Sequence, residues 1–319
     1  MRAILVKEDK SLVWSEVPEP TPRDGEIIID IHAAALNRAD LMQRAGNYPP
    51  PPGWPDWMGL EVSGVVSWVP AGCKWRVGDR VCALLGGGGY AERVAVPADM
   101  ALPIPAGISM VEAAAIPEAF ATSFLNLILE GRMKKGDTIF IQGGASGLGM
   151  AAVQLAKYMG GKVVTTVGSD DKAAFVRTLG ADVVINRKKE DIAAVLAQHP
   201  VDVAMDSVAG PHLGACLATM ARGGRWIIIS TLGGAMCEID IRDFFRRGVY
   251  LIGSTLRSRS SEMKAQILDS LRDQVWSGFT SGKIKVVIHQ TLPITQAEKA
   301  HAILEKQENL GKVVLVVKE

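Results

Sequence analysis

The stretch TIFIQGGASGLGMAAVQLAKYMG, residues 138–160, places an apolar strand directly before a glycine-rich turn and a helix. In the turn, Gly144, Gly147 and Gly149 take the first, fourth and sixth places of a G-x-x-G-x-G pattern. Glycines let the backbone turn tightly and approach a ligand closely, and a helix N-terminus offers unpaired N–H groups to phosphate. The pattern therefore indicates a dinucleotide pyrophosphate site, with an empty tight turn as the alternative.

The parts of the chain before and after this stretch differ in their pattern of apolar residues and turns. From residue 138 onward, strands alternate with helices, which we expect over 147–159, 171–179, 190–198 and 211–221. The six apolar strands are TIFIQ, KVVTTV, DVVIN, VDVAMD, RWIIIS and VYLIGST. Such alternation is typical of a Rossmann fold, an α/β doubly wound parallel sheet with crossover helices.

The first third is instead rich in short β runs separated by proline and glycine, which predicts an antiparallel, barrel-like domain. These runs are RAILV, EIIIDIHAAAL, EVSGVVSWV, RVCALL and YAERVAVP. From Val111, VEAAAIPEAFATSFLNLILEG has helical spacing that ends at Gly131. After Ser258 the sequence predicts mixed β and α structure again. A long amphipathic helix comes first, then a strand in IKVVIHQTLP, a short helix, and a last strand in GKVVLVVK.

The length, charge and composition of the chain limit the kinds of function that it can have. The 319 residues suffice for roughly two domains of about 150 residues each. A net charge of +1 gives no electrostatic argument for nucleic acid or an anionic membrane, so we expect small-molecule partners. No signal peptide or apolar run of membrane-spanning length is visible, and the default expectation is the cytoplasm. The scattered cysteines form no C-x-x-C pair and are expected to be reduced: Cys73, Cys82, Cys216 and Cys237.

The end of the second parallel strand bears on cofactor choice. An NAD-binding fold usually places Asp or Glu there to hold the ribose 2′-hydroxyl. Here the strand ends at Val167, Gly168 and Ser169 without an acid, while Lys172 follows and Arg187 ends the third strand. A hydroxyl and two cations supply donors to a 2′-phosphate, so NADPH is favoured over NADH. Lys188 and Lys189 are interpreted as a solvated helix start.

Several further motifs carry a family resemblance over essentially the full length: LNRADLMQRAGNYPPPPGW, GLEVSGVV, GDRVCALLGGGGYAERVAVP, AAIPEAFATSF, LRSR and ENLGKVVLVV. The chain resembles the zinc-free quinone oxidoreductases of the medium-chain dehydrogenase/reductase superfamily, nearest to their tumour-suppressor-inducible and zeta-crystallin branch. The resemblance implies a GroES-like substrate domain over residues 1–118 and 258–319, and a Rossmann domain over 119–257. It also implies NADPH in an interdomain cleft and a homodimer that pairs VYLIGS across a two-fold axis.

The same resemblance argues against zinc. Asn37 stands where zinc-dependent relatives have a ligand cysteine, and Leu60 where they have a histidine. Amide and leucine side chains do not replace thiolate and imidazole on Zn²⁺. The five histidines are isolated from one another and from the cysteines.

The resemblance also implies the site residues. Asn37 is expected to line the acceptor pocket, with a turn cap as the alternative. Tyr48 is expected to line the same pocket, with a loop aromatic packed on prolines as the alternative. Arg257 is expected to close the pocket, with a surface or interdomain ion pair as the alternative. Thr122 packs beside the nicotinamide or is only a helix-core residue. Further cofactor contacts are implied at Ser146, Gly147, Leu148, Leu232, Leu256 and Asn309. Arg187 stands where close relatives have tyrosine, which exchanges stacking on adenine for charge.

The sequence also predicts the roles of two loops and offers three candidate activities. The run YPPPPGWP, with Trp54 and Trp57, is interpreted as a stiff lip on the substrate site, with a proline-rich partner ligand as the alternative. Gly86 to Gly89 precede a strand and are interpreted as a loop. The leading hypothesis is an NADPH-dependent quinone reductase, since quinones accept hydride without a metal. The alternatives are an enoyl or activated-alkene reductase and a non-catalytic NADPH-binding, crystallin-like protein.

Overall fold

The computed structural model describes residues 1–318. The chain divides into two compact units. Unit 1 comprises Met1–Ala121 together with Arg257–Glu319, and unit 2 comprises Thr122–Leu256. The sequence places the corresponding boundaries after residues 118 and 257, a few residues from where the chain leaves one unit and enters the other.

Unit 1 begins with β structure. Its elements are β1 (Arg2–Val6), β2 (Leu12–Glu16), β3 (Glu26–Ala35), α1 (Arg38–Arg44), β4 (Glu61–Trp68), β5 (Arg80–Leu84), β6 (Arg93–Pro97) and β7 (Ala101–Pro103). Strand β3 forms ladders with β4, β6 and the C-terminal β15. Its register shifts opposite β4 show bulges, which bend a sheet toward a barrel. The barrel-like antiparallel prediction is confirmed.

The segment after β7 forms three successive helical pieces instead of one helix. They are α2 (Met110–Ala113), α3 (Pro117–Phe124) and a π-helical turn over Leu125–Glu130. Proline suits the first turn of α3 because its missing N–H has no partner there. Gly131 ends the segment as expected, and its N–H donates to the carbonyl of Asn126 at 2.9 Å. By length and composition Met110–Glu130 could span a bilayer, but 72% of its apolar window is buried, as in a core helix.

Unit 2 alternates strands and helices. Its elements are β8 (Thr138–Ile141), α4 (Gly147–Tyr158), β9 (Lys162–Val167), α5 (Asp170–Thr178), β10 (Val183–Asn186), α6 (Ile192–Leu196), β11 (Val201–Asp206), α7 (Leu213–Leu217), β12 (Met220–Ile228), α8 (Ile241–Arg247) and β13 (Tyr250–Gly253). The sheet order is β10-β9-β8-β11-β12-β13, and every pairing is parallel. The doubly wound sheet predicted from six apolar strands is confirmed. Its core includes Phe140 and Trp226, whose ring centroids lie 5.5 Å apart.

Two helix predictions in unit 2 are wrong in extent. The helix expected over 190–198 is only α6, and the helix expected to reach residue 221 ends at Leu217. Strand β12 begins already at Met220, and inside it Gly223 adopts a φ of 74°, which interrupts the regular pairing. The register against β11 consequently jumps from Met220–Val201 to Arg225–Val203.

The C-terminal segment completes unit 1. It comprises α9 (Ser261–Thr280), β14 (Ile288–Pro293), α10 (Ala297–Glu305) and β15 (Lys312–Val316). Strand β15 lies between β14 and β3, so the end of the chain is built into the sheet that the first third begins. Phe279 on α9 packs edge-to-face on Phe120, with ring centroids 4.9 Å apart.

Candidate active site

The glycine turn after β8 is closed by its own backbone and by Ser146. The Ser146 hydroxyl donates to the carbonyl of Gly143 at 2.8 Å and accepts from the N–H of Gly149 at 3.0 Å. A Cβ atom on Gly149 would collide with the Gly143 carbonyl oxygen and lie 2.6 Å from the Cα of Gly144. The turn therefore fits only glycine at this point. In the first turn of α4, Gly147 and Leu148 have N–H groups that helix geometry leaves without a carbonyl partner, as phosphate binding requires.

The predicted cofactor residues of unit 2 mostly follow the carboxyl ends of its strands. Gly144 follows β8, Gly168 and Ser169 follow β9, and Arg187 follows β10. These strands are neighbours, and the strand order changes direction between β8 and β11. Ligands of open α/β sheets bind outside the carboxyl ends at such a switch point. The glycine turn and the end of β9 thus lie where such folds hold a dinucleotide.

Cations gather at the ends of β9 and β10. The Arg187 guanidinium lies over Gly168: a Cβ atom built on Gly168 would be 3.0 Å from its Nη1. Lys172 is half-buried, and its pKa is lowered by burial and then by the charges of Arg187 and Lys188. We call Gly168, Ser169, Lys172 and Arg187 the cationic shelf. Lys189 instead pairs with Asp170 at 2.6 Å on the exposed surface, in keeping with its interpretation as a solvated residue.

The remaining predicted cofactor residues are dispersed. Leu232 follows β12 and its N–H donates to the carbonyl of Ser207 at 3.3 Å, while Leu256 is buried after β13. Thr122 lies in α3, where its carbonyl accepts from the Asn126 side chain at 2.7 Å. Asn309 belongs to unit 1, and its amide donates to the carbonyl of Gly311 at 2.8 Å. Their cofactor contacts stay predictions.

Asn37 in unit 1 is both a helix-capping residue and part of a buried charge cluster. Its backbone N–H, at the start of α1, donates to the Asp40 carboxylate at 2.7 Å. Its side-chain Nδ2 donates to Oε1 of Glu61 at 3.0 Å, and its Oδ1 accepts from Nζ of Lys312 at 2.8 Å. Lys312 and Glu61 form an ion pair at 2.6 Å, with side chains 2% and 0% exposed.

Tyr48 and Arg257 form a second cluster in unit 1. The Arg257 guanidinium lies 4.7 Å from the Tyr48 ring centroid, a cation–π contact. It also donates to the carbonyls of Tyr48 and Gly86 and to Oε1 of Gln43, at 2.9, 3.0 and 2.6 Å. Arg257 is 5% exposed, so it is neither a surface residue nor a mobile one. Burial raises the pKa of Tyr48 against the opposing effect of Arg257, which keeps the phenol protonated.

Hydrogen bonds to neighbouring loops hold the proline-rich stretch after Tyr48 in place. Arg23 donates to the carbonyl of Gly53 at 2.7 Å, and the Trp57 indole donates to the carbonyl of Gly88 at 3.1 Å. A Cβ atom on Gly86 would lie 2.6 Å from the Trp54 ring, so the glycine loop allows that ring to pack closely. Residues 86–89 form a loop, as predicted, without helix or strand.

A cavity of about 510 Å³ in unit 1 is lined by Trp54, Trp57, Arg23 and Arg93 together with several prolines. Among the described residues that line it, Asn37, Tyr48 and Arg257 do not occur. We assign the candidate acceptor site to the two clusters of unit 1, and the candidate cofactor site to the cationic shelf of unit 2. The cavity is not part of either, because its arginines are bound within unit 1: Arg93 pairs with Asp30 and Glu19 at 3.0 and 3.1 Å.

Asp40 supports the loop that carries Leu60. Its buried carboxylate accepts from the N–H of Gly59 at 3.2 Å and from the Tyr90 hydroxyl at 3.0 Å. Burial raises the pKa of Asp40 to about 6, against the lowering effect of these hydrogen bonds.

Sequence reasoning missed Glu61, Lys312 and Gln43. A signal for the first two was present, since each is a single charge at the head of an apolar strand, in GLEVSGVV and GKVVLVV. Charged residues are almost never fully buried unless they are paired, so two such charges predict a pair. Gln43 carries no comparable signal, because glutamine on a short helix is ordinary.

Comparisons with known proteins agree with this architecture. Residues 23–106 match the alcohol dehydrogenase GroES-like domain, and residues 147–272 match the zinc-binding dehydrogenase family. The quinone oxidoreductase of Sus scrofa is 30% identical over 310 residues, covering 95% of this chain and 92% of the relative.

Two solved structures that resemble this chain were determined with NADPH. The quinone oxidoreductase from Thermus thermophilus, solved also as its complex with NADPH, has a TM-score of 0.83 and 29% identity, with 99% and 100% of the two chains covered. The mycobacterial Rv1454c complexed with NADPH has a TM-score of 0.85 and 29% identity, with the same coverage.

A GroES-like domain followed by a parallel Rossmann-type sheet defines an oxidoreductase of the medium-chain dehydrogenase/reductase superfamily that uses NAD(P)H. Within that superfamily the chain belongs to the quinone oxidoreductase family. Both the predicted fold class and the predicted family are confirmed.

The family description includes zinc, and the residues around Asn37 do not fit it. The carboxylate of Glu61 and the amide oxygen of Asn37 already accept hydrogen bonds from the Lys312 ammonium, and Leu60 is an apolar, buried side chain. A divalent cation next to this ammonium would be repelled. Within residues 1–318, no group of three or more His, Cys, Asp or Glu side chains could hold a metal ion.

Proposed function

We propose that this protein is a zinc-independent quinone reductase that uses NADPH in preference to NADH. The observation that carries the proposal is the cationic shelf, where Arg187 lies over Gly168 and neither Asp nor Glu occurs at Val167, Gly168 or Ser169. A 2′-phosphate placed there gains hydrogen bonds to charged donors. The nearest acid along the chain, Asp170, already accepts hydrogen bonds from Asn186 and Lys189 at 2.8 and 2.6 Å. The two related structures determined with NADPH support this choice.

The residues of the turn suit the rest of such a cofactor. A pyrophosphate is held by N–H groups at the start of α4, in a turn whose glycines leave room for it. When bound, NADPH supplies the hydride. The further prediction that it lies in a cleft between the domains stays a prediction.

Quinones fit the side chains of unit 1. A quinone is electron-poor and accepts hydride without a Lewis acid, so its site has only to orient the ring and stabilise the oxygen that gains charge. The Asn37 amide and the protonated Tyr48 phenol are neutral hydrogen-bond donors suited to that oxygen. We assign Arg257 a positioning role, because its guanidinium holds the backbone and ring of Tyr48 in place.

Steady-state oxidation of NADPH and NADH, each with a small para-quinone, tests the proposal. We expect turnover with the quinone and a clear preference for NADPH in kcat/KM. Equal or better use of NADH would contradict the cofactor assignment. Rapid reduction of an α,β-unsaturated ketone with inert quinone would identify an activated-alkene reductase instead. Tight NADPH binding without oxidation by either acceptor would identify a non-catalytic binding protein.

We further propose a homodimer formed through strand β13. This strand is the last in its sheet and pairs only with β12 among the described strands, so its outer edge can hydrogen-bond to another strand. Tyr250 and Leu251 on it are 59% and 37% exposed. A second copy related by a two-fold axis would cover this apolar edge.

Light scattering after size exclusion measures this assembly. The wild type is expected at twice the chain mass, and Leu251→Lys as a monomer. Leu129→Lys, at an exposed leucine in the same unit, is the matched control and is expected to stay dimeric. A monomeric wild type, or a dimeric Leu251→Lys variant, would contradict the proposal.

A further inference from the structure

The buried ion pair of Lys312 and Glu61 fixes the orientation of the Asn37 side-chain amide. An ammonium only donates hydrogen bonds and a carboxylate only accepts them. Oδ1 of Asn37 therefore has to face Nζ of Lys312, at 2.8 Å, and Nδ2 has to face Oε1 of Glu61, at 3.0 Å. The two charges leave the amide one orientation.

The ion pair is itself held rigidly. The Lys312 ammonium donates all three of its hydrogens, to Glu61, to Asn37 and to the carbonyl of Leu36 at 2.6 Å. Oε2 of Glu61 accepts from the backbone N–H of Glu118 at 2.9 Å. Both side chains are buried, so a change of rotamer would leave an unpaired charge inside the protein.

The orientation of the amide leaves one hydrogen for another acceptor. One hydrogen of Nδ2 is bound to Glu61, and the second has the carbonyl of Ala35 as its acceptor at 3.4 Å, the long limit of a hydrogen bond. Asn37 itself is half-buried, unlike Glu61 and Lys312. The weakly engaged hydrogen is the one that an incoming oxygen can take over.

We propose that Lys312 and Glu61 are positioning residues that hold Asn37 as a hydrogen-bond donor to the acceptor oxygen. The proposal rests on the proposed quinone reduction. A displaced or reversed amide would present Oδ1, an acceptor, to an oxygen that gains negative charge. Without the ion pair the amide can rotate, and the site loses a preorganised donor.

The test uses the double variant Glu61→Gln with Lys312→Met, which removes both charges and avoids leaving one of them buried alone. It is made in the wild type and in Asn37→Ala, with Lys74→Met, which breaks a surface ion pair in unit 1, as the control. In the wild-type background we expect kcat for the quinone to fall about 10- to 100-fold. The Kd for NADPH is expected to stay within about twofold, and Lys74→Met to keep both values.

The Asn37→Ala background decides whether the pair acts through the amide. If it does, removing the pair there lowers kcat by less than about twofold further, since coupled residues are not additive. The same fold loss in both backgrounds, or an unchanged kcat in the wild-type background, would overturn the proposal.

A second readout does not depend on the acceptor. In a ¹⁵N–¹H spectrum, the Asn37 side-chain amide is assigned by its loss in Asn37→Ala. We expect one of its protons to lie downfield, bound to Glu61, and to move upfield in the double variant. An amide signal that the double variant leaves in place would overturn the proposal. A wild type that shows the downfield proton but reduces no quinone would refute the proposed activity while leaving the orientation standing.

Discussion

Replacing Arg187 with glutamine is expected to weaken NADPH binding without weakening NADH binding. The guanidinium lies over Gly168 at the end of β9, and its charge lowers the pKa of the neighbouring Lys172. A hydrogen bond to a charged group contributes about 1.5–3 kcal/mol, and because Arg187 is exposed the lower half of that range applies. The expected rise in the Kd for NADPH is therefore about 10- to 40-fold.

Calorimetric or fluorescence titration of both cofactors measures the effect, at low and at high salt. The preference for NADPH is expected to shrink at high salt, because exposed charges are screened. Lys189→Gln is the matched control: its ammonium is already paired with Asp170, so both affinities are expected to stay within about twofold. If Arg187→Gln weakens both cofactors equally, or neither, the shelf does not bind the 2′-phosphate.

Three further changes follow from the described contacts. The pKa of buried His301 is lowered to about 3, by burial and then by Arg44, so the folded state stays neutral where the unfolded chain is protonated. The stability of the wild type relative to His301→Leu should thus fall by about 1.4 kcal/mol per pH unit below pH 6.5. Urea unfolding of both proteins at pH 7.5 and 5 measures this difference, which also cancels the opposing effect of buried Asp40; parallel pH dependences would contradict it. Gly149→Ala should weaken both cofactors at least about tenfold, because its Cβ collides with the turn, and unchanged titrations would show that the turn can relax. Arg257→Gln should destabilise unit 1 by about 2–4 kcal/mol in urea unfolding, because the carbonyls of Tyr48 and Gly86 lose a buried donor; a loss below about 0.5 kcal/mol would contradict that account.

The features that the sequence predicts well are local in the chain. A strand buried on both faces is a continuous apolar run, and a glycine turn before a helix occupies a dozen residues, so both can be read directly. Helix ends are not set by the hydrophobic pattern alone: β12 begins at Met220, shortly after α7 ends at Leu217, and helical spacing does not reveal this change. The π-helical turn at Leu125–Glu130 likewise leaves no signal in the hydrophobic pattern.

The features that the sequence does not predict are contacts between distant residues. Glu61 and Lys312 are 251 positions apart, and Gln43 and Arg257 are 214 apart. Each pair is brought together only when β15 and α9 join the unit that the first third begins. The backbone of Asn37 caps α1 and its side chain binds the ion pair, whereas its predicted place in the acceptor pocket stays a prediction.

The most direct test of the central claim is the initial rate at which the wild-type protein oxidises NADPH and NADH in the presence of one quinone, followed by the absorbance of the reduced nicotinamide. The account predicts oxidation that depends on the quinone, survives a metal chelator, and has a kcat/KM at least about tenfold higher for NADPH than for NADH. Equal rates with the two cofactors, or no oxidation with the quinone, would contradict it.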